Sequence, residues 1–183
     1  MLYEIGDKVL DEWVITRTIG EGSYGKVVEI ERNEFGLSMK SALKIISIPG
    51  NNSELRAVMG EGIDNKSITS YFYGFVEEII KEIAIMSELK GHTNIVTYED
   101  HRVIPHEDHI GWDILIRMEL LTSLLDYSEE HEITEQTVIK LGTDILTALE
   151  VCQKYHVVHR DIKPENIFVS ATGDFKLGDF GIA

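Results

Sequence analysis

Two short polar runs near the end of the 183-residue chain constrain its fold more than any other feature. They are His159 to Asn166, reading H-R-D-I-K-P-E-N, and Asp179-Phe180-Gly181. Between Asn166 and Asp179 lie Ile167 to Val169 and Phe175 to Leu177. Those two runs read as a short strand pair. The pair keeps a carboxylate (Asp161), an amine (Lys163), a carboxamide (Asn166) and a second carboxylate (Asp179) within one short span. Phosphoryl transfer from a nucleotide needs that inventory: a group to orient the attacking hydroxyl, a cation on the migrating phosphoryl group, and two oxygen ligands for Mg²⁺.

A second constraint lies near the start. Residues 8 to 19 carry Val, Ile, Trp and Thr and predict a strand. The run Gly20-Glu21-Gly22-Ser23-Tyr24-Gly25 follows, then K-V-V-E-I-E-R resumes β character, and Ser41 to Ile48 predicts a third strand. A lone G-x-G-x-x-G is shared with the dinucleotide-binding fingerprint, but that fingerprint must pass from strand into helix. Here Val27, Val28 and Ile30 continue as an extended β-branched run, which argues against it. Strand, glycine turn, strand instead lets the backbone lie close over phosphates, with the amides of Ser23 to Gly25 aimed at their oxygens.

The polar, small-residue stretch from Gly50 to Asn65 reads as a linker or mobile loop. Ser67 is placed to cap a helix from Ile68 to Leu89, whose apolar residues recur at helical spacing, with Gly91 just past its end. Its aromatic start (Tyr71, Phe72, Tyr73, Phe75) reads most simply as core packing, with a partner-docking face as the alternative. Strand-like runs follow near Ile95 to His101 and Asp113 to Met118. The connection between them holds His101, His106 and His109, without a ligand spacing that supports a metal site. A second helix is predicted from Thr134 to Tyr155, with Val138, Leu141, Ile145, Leu149 and Cys152 on one face.

Thirty-two acidic against seventeen basic residues give a net charge of −15, which disfavours nonspecific nucleic-acid binding and a hold on anionic lipid. Cys152 is the single cysteine, so no intrachain disulfide or cysteine-based zinc site can form. No window approaches 18 uninterrupted apolar residues, and the N-terminus lacks a basic region followed by an apolar run. A cytosolic setting is the expectation.

With H-R-D-I-K-P-E-N, D-F-G, the glycine turn and A-L-K on the third strand, the chain resembles a eukaryotic-type serine/threonine protein kinase. The resemblance implies an α+β, two-lobe fold. Residues 1–118 would form a β-rich lobe with one long helix, 119–123 a hinge, and 124–183 the first part of a helical lobe. It implies Mg-ATP as cofactor and a protein serine or threonine hydroxyl as acceptor. Asp161 would orient the acceptor hydroxyl, Lys163 would stabilise charge on the phosphoryl group, and Asn166 and Asp179 would hold Mg²⁺.

Lys44 would meet the α/β-phosphates, paired with a helix glutamate, because an inward-facing lysine is costly unless paired. Glu82 is the first choice for that partner, with Glu78 the runner-up and Glu77 a third candidate. The glycine-rich segment from Ile19 through Lys26 would cover the nucleotide. Val27, Ala42 and Phe168 would line the adenine slot with Ile19; plain core is the bland reading, and for apolar residues both can hold. Met118 would close the back of that slot, Glu119 and Leu121 would offer backbone groups to the adenine edge, and Ser123 would lie near the ribose. His159, Phe180, Met86 and Tyr98 match a stacked column that links the lobes of this family.

Two departures are visible. The sequence ends at Ala183, directly after D-F-G-I-A, without the activation segment, the A-P-E motif or the later helices. The expectation is a truncated domain whose 134–155 helix exposes apolar surface, and whose Arg160 lacks the activation-loop phosphate such an arginine usually pairs with. The compact H-R-D-I-K-P-E-N and the D-F-G-I-A ending also resemble bacterial serine/threonine kinases. The competing function is an inert kinase-like fragment or scaffold that binds nucleotide or a partner. A small-molecule kinase of related fold fits K-P-E-N less well.

Overall fold

Runs rich in β-branched residues between Lys8 and Met118 build a six-stranded sheet. A computed structural model describes residues 3–22, 25–59 and 64–180. Its strands are β1 (Lys8–Val9), β2 (Trp13–Gly22), β3 (Gly25–Glu34), β4 (Leu37–Ile48), β5 (Tyr98–Pro105) and β6 (Trp112–Met118), in the order β1-β2-β3-β4-β6-β5. Leu10 and Asp11 have positive φ and divide the expected first strand into β1 and β2. Phe35 and Gly36, at φ 49° and 82°, close the β3–β4 hairpin; a tight turn of that hand needs positive φ at both central residues. On one face Ile15, Val28, Ile30, Leu43, Ile45 and Leu115 form a buried cluster. Each such side chain contributes roughly 2 kcal/mol relative to an exposed one.

The 50–65 stretch is not all linker. Helix α1 spans Asn52–Met59, and the Asn51 carboxamide oxygen accepts the Glu54 amide at 2.9 Å. Polar and glycine residues at its edges hid a short run of ordinary helix formers. Helix α2 spans Asn65–Glu88 and is capped by Asp64 rather than Ser67: Asp64 Oδ1 accepts from Lys66 N and Ser67 N at 3.0 and 3.1 Å. Gly91 has φ 94°, the left-handed conformation expected just past a helix end. Of the aromatics at the start of α2, only Phe72 enters the core. Tyr71, Tyr73 and Phe75 are about half exposed, and Tyr73 lies 5.7 Å from the Trp112 ring.

The second half gives β7 (Thr122–Ser123), α3 (Leu124–Glu130), α4 (Glu135–Lys154), a 3-10 turn at Pro164–Asn166, β8 (Ile167–Val169) and β9 (Phe175–Leu177). β7, β8 and β9 form a three-stranded sheet in that order. α4 begins with a capping box between Thr134 and Thr137 and buries Ala148 and Cys152. Val138, assigned to the inner face from sequence, is exposed along with Ile139 and Leu146. No helix among the described residues is long and apolar enough to cross a membrane.

The chain divides into two compact units, Met1–Ile80 with Glu99–Leu120, and Lys81–Tyr98 with Leu121–Ala183. The division falls inside α2, so the end of that helix groups with the second unit.

Candidate active site

In the second unit, the irregular loop before β8 is held by its own side chains. Asn166 is buried, and its Nδ2 donates to Asp161 twice, to the backbone oxygen at 2.8 Å and to Oδ2 at 2.9 Å. Both amide hydrogens are thereby committed, which leaves Oδ1 as the acceptor end of the side chain. Lys163 Nζ lies 2.7 Å from Asp161 Oδ2. The Lys163 ammonium holds the Asp161 carboxyl below the usual carboxylate range, with Asn166 adding to the effect. Asp161 in turn raises Lys163, and the Asp179 charge contributes to that shift. Asp161 is therefore ionised and fixed at neutral pH.

His159 ties this loop to the D-F-G run. Its ring is buried, and Nε2 lies 2.9 Å from the Gly178 carbonyl oxygen. A carbonyl only accepts, so Nε2 carries the proton and Nδ1 accepts from the Asp161 amide at 3.4 Å. The Phe180 ring, also buried, stands 4.8 Å from His159. Gly178 N donates to the Asn166 carbonyl at 2.9 Å, completing the loop's return. Arg160 and Asp179 have φ of 65° and 54°, left-handed values that cost about 1–3 kcal/mol each in residues other than glycine and cluster at functional sites. A Cβ on Gly178 would lie 2.6 Å from Val96 and 3.0 Å from Phe168, so glycine is required there. Met86 and Tyr98 are buried in the same unit.

The outer edge of β9 is closed by residues that no motif pointed to. Phe175 N donates to Asp144 Oδ2 at 2.9 Å, and Phe175 O accepts from Asn94 Nδ2 at 2.9 Å. Leu177 N donates to Asn94 O and Leu177 O accepts from Val96 N. Lys140 holds Asp144 at 2.6 Å and reaches Asp174 at 3.3 Å. These bonds satisfy a strand edge that would otherwise lie open, and they fix the hairpin whose ends carry Asn166 and Asp179.

In the first unit, ladder pairing orders the expected nucleotide-binding residues. Val27 pairs with Lys44 and Lys44 with Ile116, while Glu29 pairs with Ala42 and Ala42 with Met118. Paired residues share a face, as do positions two apart, so Val27, Ala42, Lys44 and Met118 stand on one side of the sheet. Lys26 does not join them: it pairs with Ile45, and its Nζ donates to the Tyr3 carbonyl at 3.1 Å. Gly25 has φ 135°, and a Cβ there would sit 2.1 Å from the Ile45 carbonyl oxygen, so only glycine lets the turn close against β4. Gly20 pairs with Val27, Glu21 with Lys26, and Gly22 with Gly25. Ile19 sits at a break in register and is 41% exposed. Ser23 and Tyr24, like Gly181, lie outside the described residues.

Residues 13–183 match the family described as the protein kinase domain. The chain belongs to the protein kinase domain family. This kinase domain is 38% identical over 116 residues to the serine/threonine-protein kinase AKL1 of Saccharomyces cerevisiae, a match covering 58% of the chain and 10% of that protein. It is 29% identical over 181 residues to cyclin-dependent kinase 7 of Dictyostelium discoideum, covering 95% of the chain and 42% of the relative. It is also 29% identical over 185 residues to human Nek2, covering 94% of the chain and 36% of the relative. The chain thus spans less than half the length of these curated relatives.

Within the kinase domain, α2 distinguishes its three candidate glutamates. Glu82 is half-buried, whereas Glu77 and Glu78 are exposed. Glu119, Leu121 and Phe168 are half-buried, and Phe168 pairs with Ser123 across β7–β8. Ser123 has a local task that the sequence reading missed. It is the N-cap of α3, its Oγ accepting the Asp126 amide at 3.0 Å and donating to the Asp126 carboxylate at 2.7 Å. The signal was present as Ser123-Leu124-Leu125-Asp126, a serine with a carboxylate three residues on. In the first unit the His106 and His109 rings lie 4.5 Å apart, tilted by 42°, and His106 Nε2 lies 3.1 Å from the buried Asp113 carboxylate.

Proposed function

We propose that the chain carries the catalytic apparatus of an ATP-dependent serine/threonine protein kinase. The observation that carries this reading is the Asp161–Lys163–Asn166 knot, in which one carboxylate is held ionised and oriented by an amine and a carboxamide. Asp161 orients the acceptor hydroxyl and takes up its proton. Lys163 offers its ammonium to the charge on the transferring phosphoryl oxygens. Asn166 Oδ1 and the Asp179 carboxylate supply hard oxygen ligands, and both fit Mg²⁺: the Asn166 oxygen is the side chain's remaining acceptor, and Asp179 is exposed at a left-handed backbone position. Bound there, Mg²⁺ supplies charge neutralisation on the phosphate oxygens.

Lys44 engages the α/β-phosphates and is neutralised by Glu82. Ile19 to Gly25 cover the phosphates with backbone amides. Val27, Ala42 and Phe168 contact the adenine, Met118 limits its slot, and Glu119 and Leu121 give backbone groups to its edge. Residues 119–123 act as the connector between a first lobe of 1–118 and a second from 124. The lysine two positions after Asp161 and the serine/threonine kinase names of the relatives support a serine or threonine acceptor. The motif style supports a bacterial source and the single cysteine a cytosolic setting, and the net charge of −15 supports a protein rather than a nucleic-acid partner.

The test is thermal unfolding of the protein with and without Mg-ATP, beside Lys44→Ala, together with a phosphotransfer assay on wild type and Asp161→Asn. Ligand binding to the native state raises apparent stability. Stabilisation by Mg-ATP in wild type alone, with phosphotransfer lost in Asp161→Asn, is the expected result. Nucleotide binding without transfer, unchanged by Asp161→Asn, would identify an inert scaffold instead.

A further inference from the structure

The face that carries Val27, Ala42, Lys44 and Met118 also carries a buried carboxylate with no part in the proposed chemistry. Glu29 is 4% exposed and receives Arg17 Nε at 2.7 Å and Lys40 Nζ at 2.8 Å. Its place in the sheet is a single cross-strand row: Arg17 pairs with Glu29, Glu29 with Ala42, and Ala42 with Met118. Arg17 reaches that row only because β2 is irregular. Ile15 pairs with Ile30 on the core face, and the register then shifts by one residue before Arg17 pairs with Glu29. In a regular strand Ile15 and Arg17 would share a face; the bulge at Thr16 turns Arg17 to the other. The Thr16 hydroxyl lies 3.2 Å from the Glu29 carbonyl oxygen and 3.3 Å from its carboxylate. A second register shift separates Thr18 from Gly20 and leads into the glycine turn. The residues Arg17 and Thr18 therefore form a short paired segment between two irregularities, and Glu29 is what pins it.

We propose that Glu29 is a positioning residue for the nucleotide. Through Arg17, Lys40 and the Thr16 bulge it fixes where the glycine turn leaves β2, relative to the Ala42 and Met118 row. This rests on the nucleotide-binding role proposed above. The Lys40 ammonium holds Glu29 below the usual carboxylate range, ahead of an opposing effect of burial and a further contribution from Arg17. The charge is thus present at neutral pH, and its removal leaves two cations without their shared anion.

The experiment measures KM for Mg-ATP and kcat separately in the whole protein, for Glu29→Gln, Lys40→Gln and Arg17→Gln. Glu29→Gln should raise KM for Mg-ATP about tenfold while kcat stays within about twofold. Lys40→Gln should raise KM less, and the Glu29→Gln/Lys40→Gln pair should fall short of the product of the single effects, because the two act as a unit. Arg17 is 62% exposed at its side chain, so Arg17→Gln keeps the sheet folded and still probes the row if Glu29→Gln does not express. A KM for Mg-ATP unchanged in Arg17→Gln, or a Glu29→Gln protein that loses kcat at constant KM, overturns the inference and leaves the kinase reading standing. Wild-type protein that binds no Mg-ATP overturns both.

Discussion

The hairpin β2–β3 and the loop from His159 to Asn166 fix their residues by opposite means. The hairpin is a ladder: backbone pairing places Val27 opposite Lys44 and Glu29 opposite Ala42, and side chains inherit their positions from register. The loop has no ladder. Asn166 donates to Asp161, His159 to Gly178, and Gly178 back to Asn166, so the side chains of the motif themselves hold the backbone. A motif written in side chains is therefore the structure in the second case. In the first case the motif marks only the glycines, and the residues that set the register lie outside it.

The largest contrast is catalytic. Asp161→Asn should lower phosphotransfer by about 10³-fold or more while Mg-ATP binding persists, measured by radiolabel transfer and by ligand-induced stabilisation. Equal loss of binding would mean the loop is as dependent on one residue for its shape as the hairpin is on register. On the hairpin, Gly25→Ala should destabilise the protein by about 3 kcal/mol, because the new Cβ meets the Ile45 carbonyl 2.1 Å away and φ of 135° disfavours any side chain. Chemical denaturation measures it, and a cost below about 1 kcal/mol would show that β3 and β4 separate readily there.

Asp144→Ala should cost about 1–3 kcal/mol, since it leaves the buried Phe175 N–H without an acceptor. Asp144→Asn, which keeps an acceptor oxygen, should recover most of that loss.

A smaller effect is set by pH. Burial pushes the Asp113 carboxyl up, but hydrogen bonds from the Ser47 and Tyr3 hydroxyls, with the His106 ring 3.1 Å away, outweigh it and hold the group below the usual aspartate range. A depressed folded value contributes stability that is fully present above the unfolded value, about pH 4, and is lost as pH falls through the folded one. Denaturation midpoints should therefore drop below about pH 4 in wild type and less steeply in Asp113→Asn. Asp161 is also held low but lies at the solvent-exposed surface, where screening makes its pair with Lys163 a poor stabiliser. Its substitution should leave the acid limb unchanged. Smallest of all, Ser123→Ala should cost about 1 kcal/mol through loss of the α3 cap, with KM for Mg-ATP unaltered. A raised KM would restore Ser123 as a ribose contact.

The residues proposed to carry the chemistry were legible because the H-R-D-I-K-P-E-N and D-F-G runs resemble a family's motifs residue by residue: Asp161, Lys163, Asn166 and Asp179 were named by that resemblance. The strand–glycine–strand pattern was legible because β-branched runs have few alternatives on either side of a turn. Helix α1 and the cap at Asp64 were missed, since Gly50 to Asn65 mixes helix formers with breakers and local propensity there is nearly balanced.

By itself, then, the sequence determined the family, the order of strands around the glycine turn, and the polar inventory of the 159–166 loop, because each depends on residue identity at short range. Only the tertiary structure decided which side of the sheet each β2 and β3 residue faces, how Asp144 and Asn94 close the β9 edge, and why Glu29 can be a buried charge. Those depend on register shifts of one residue and on partners tens of positions away, and a bulge reverses a face without leaving a mark in composition or period.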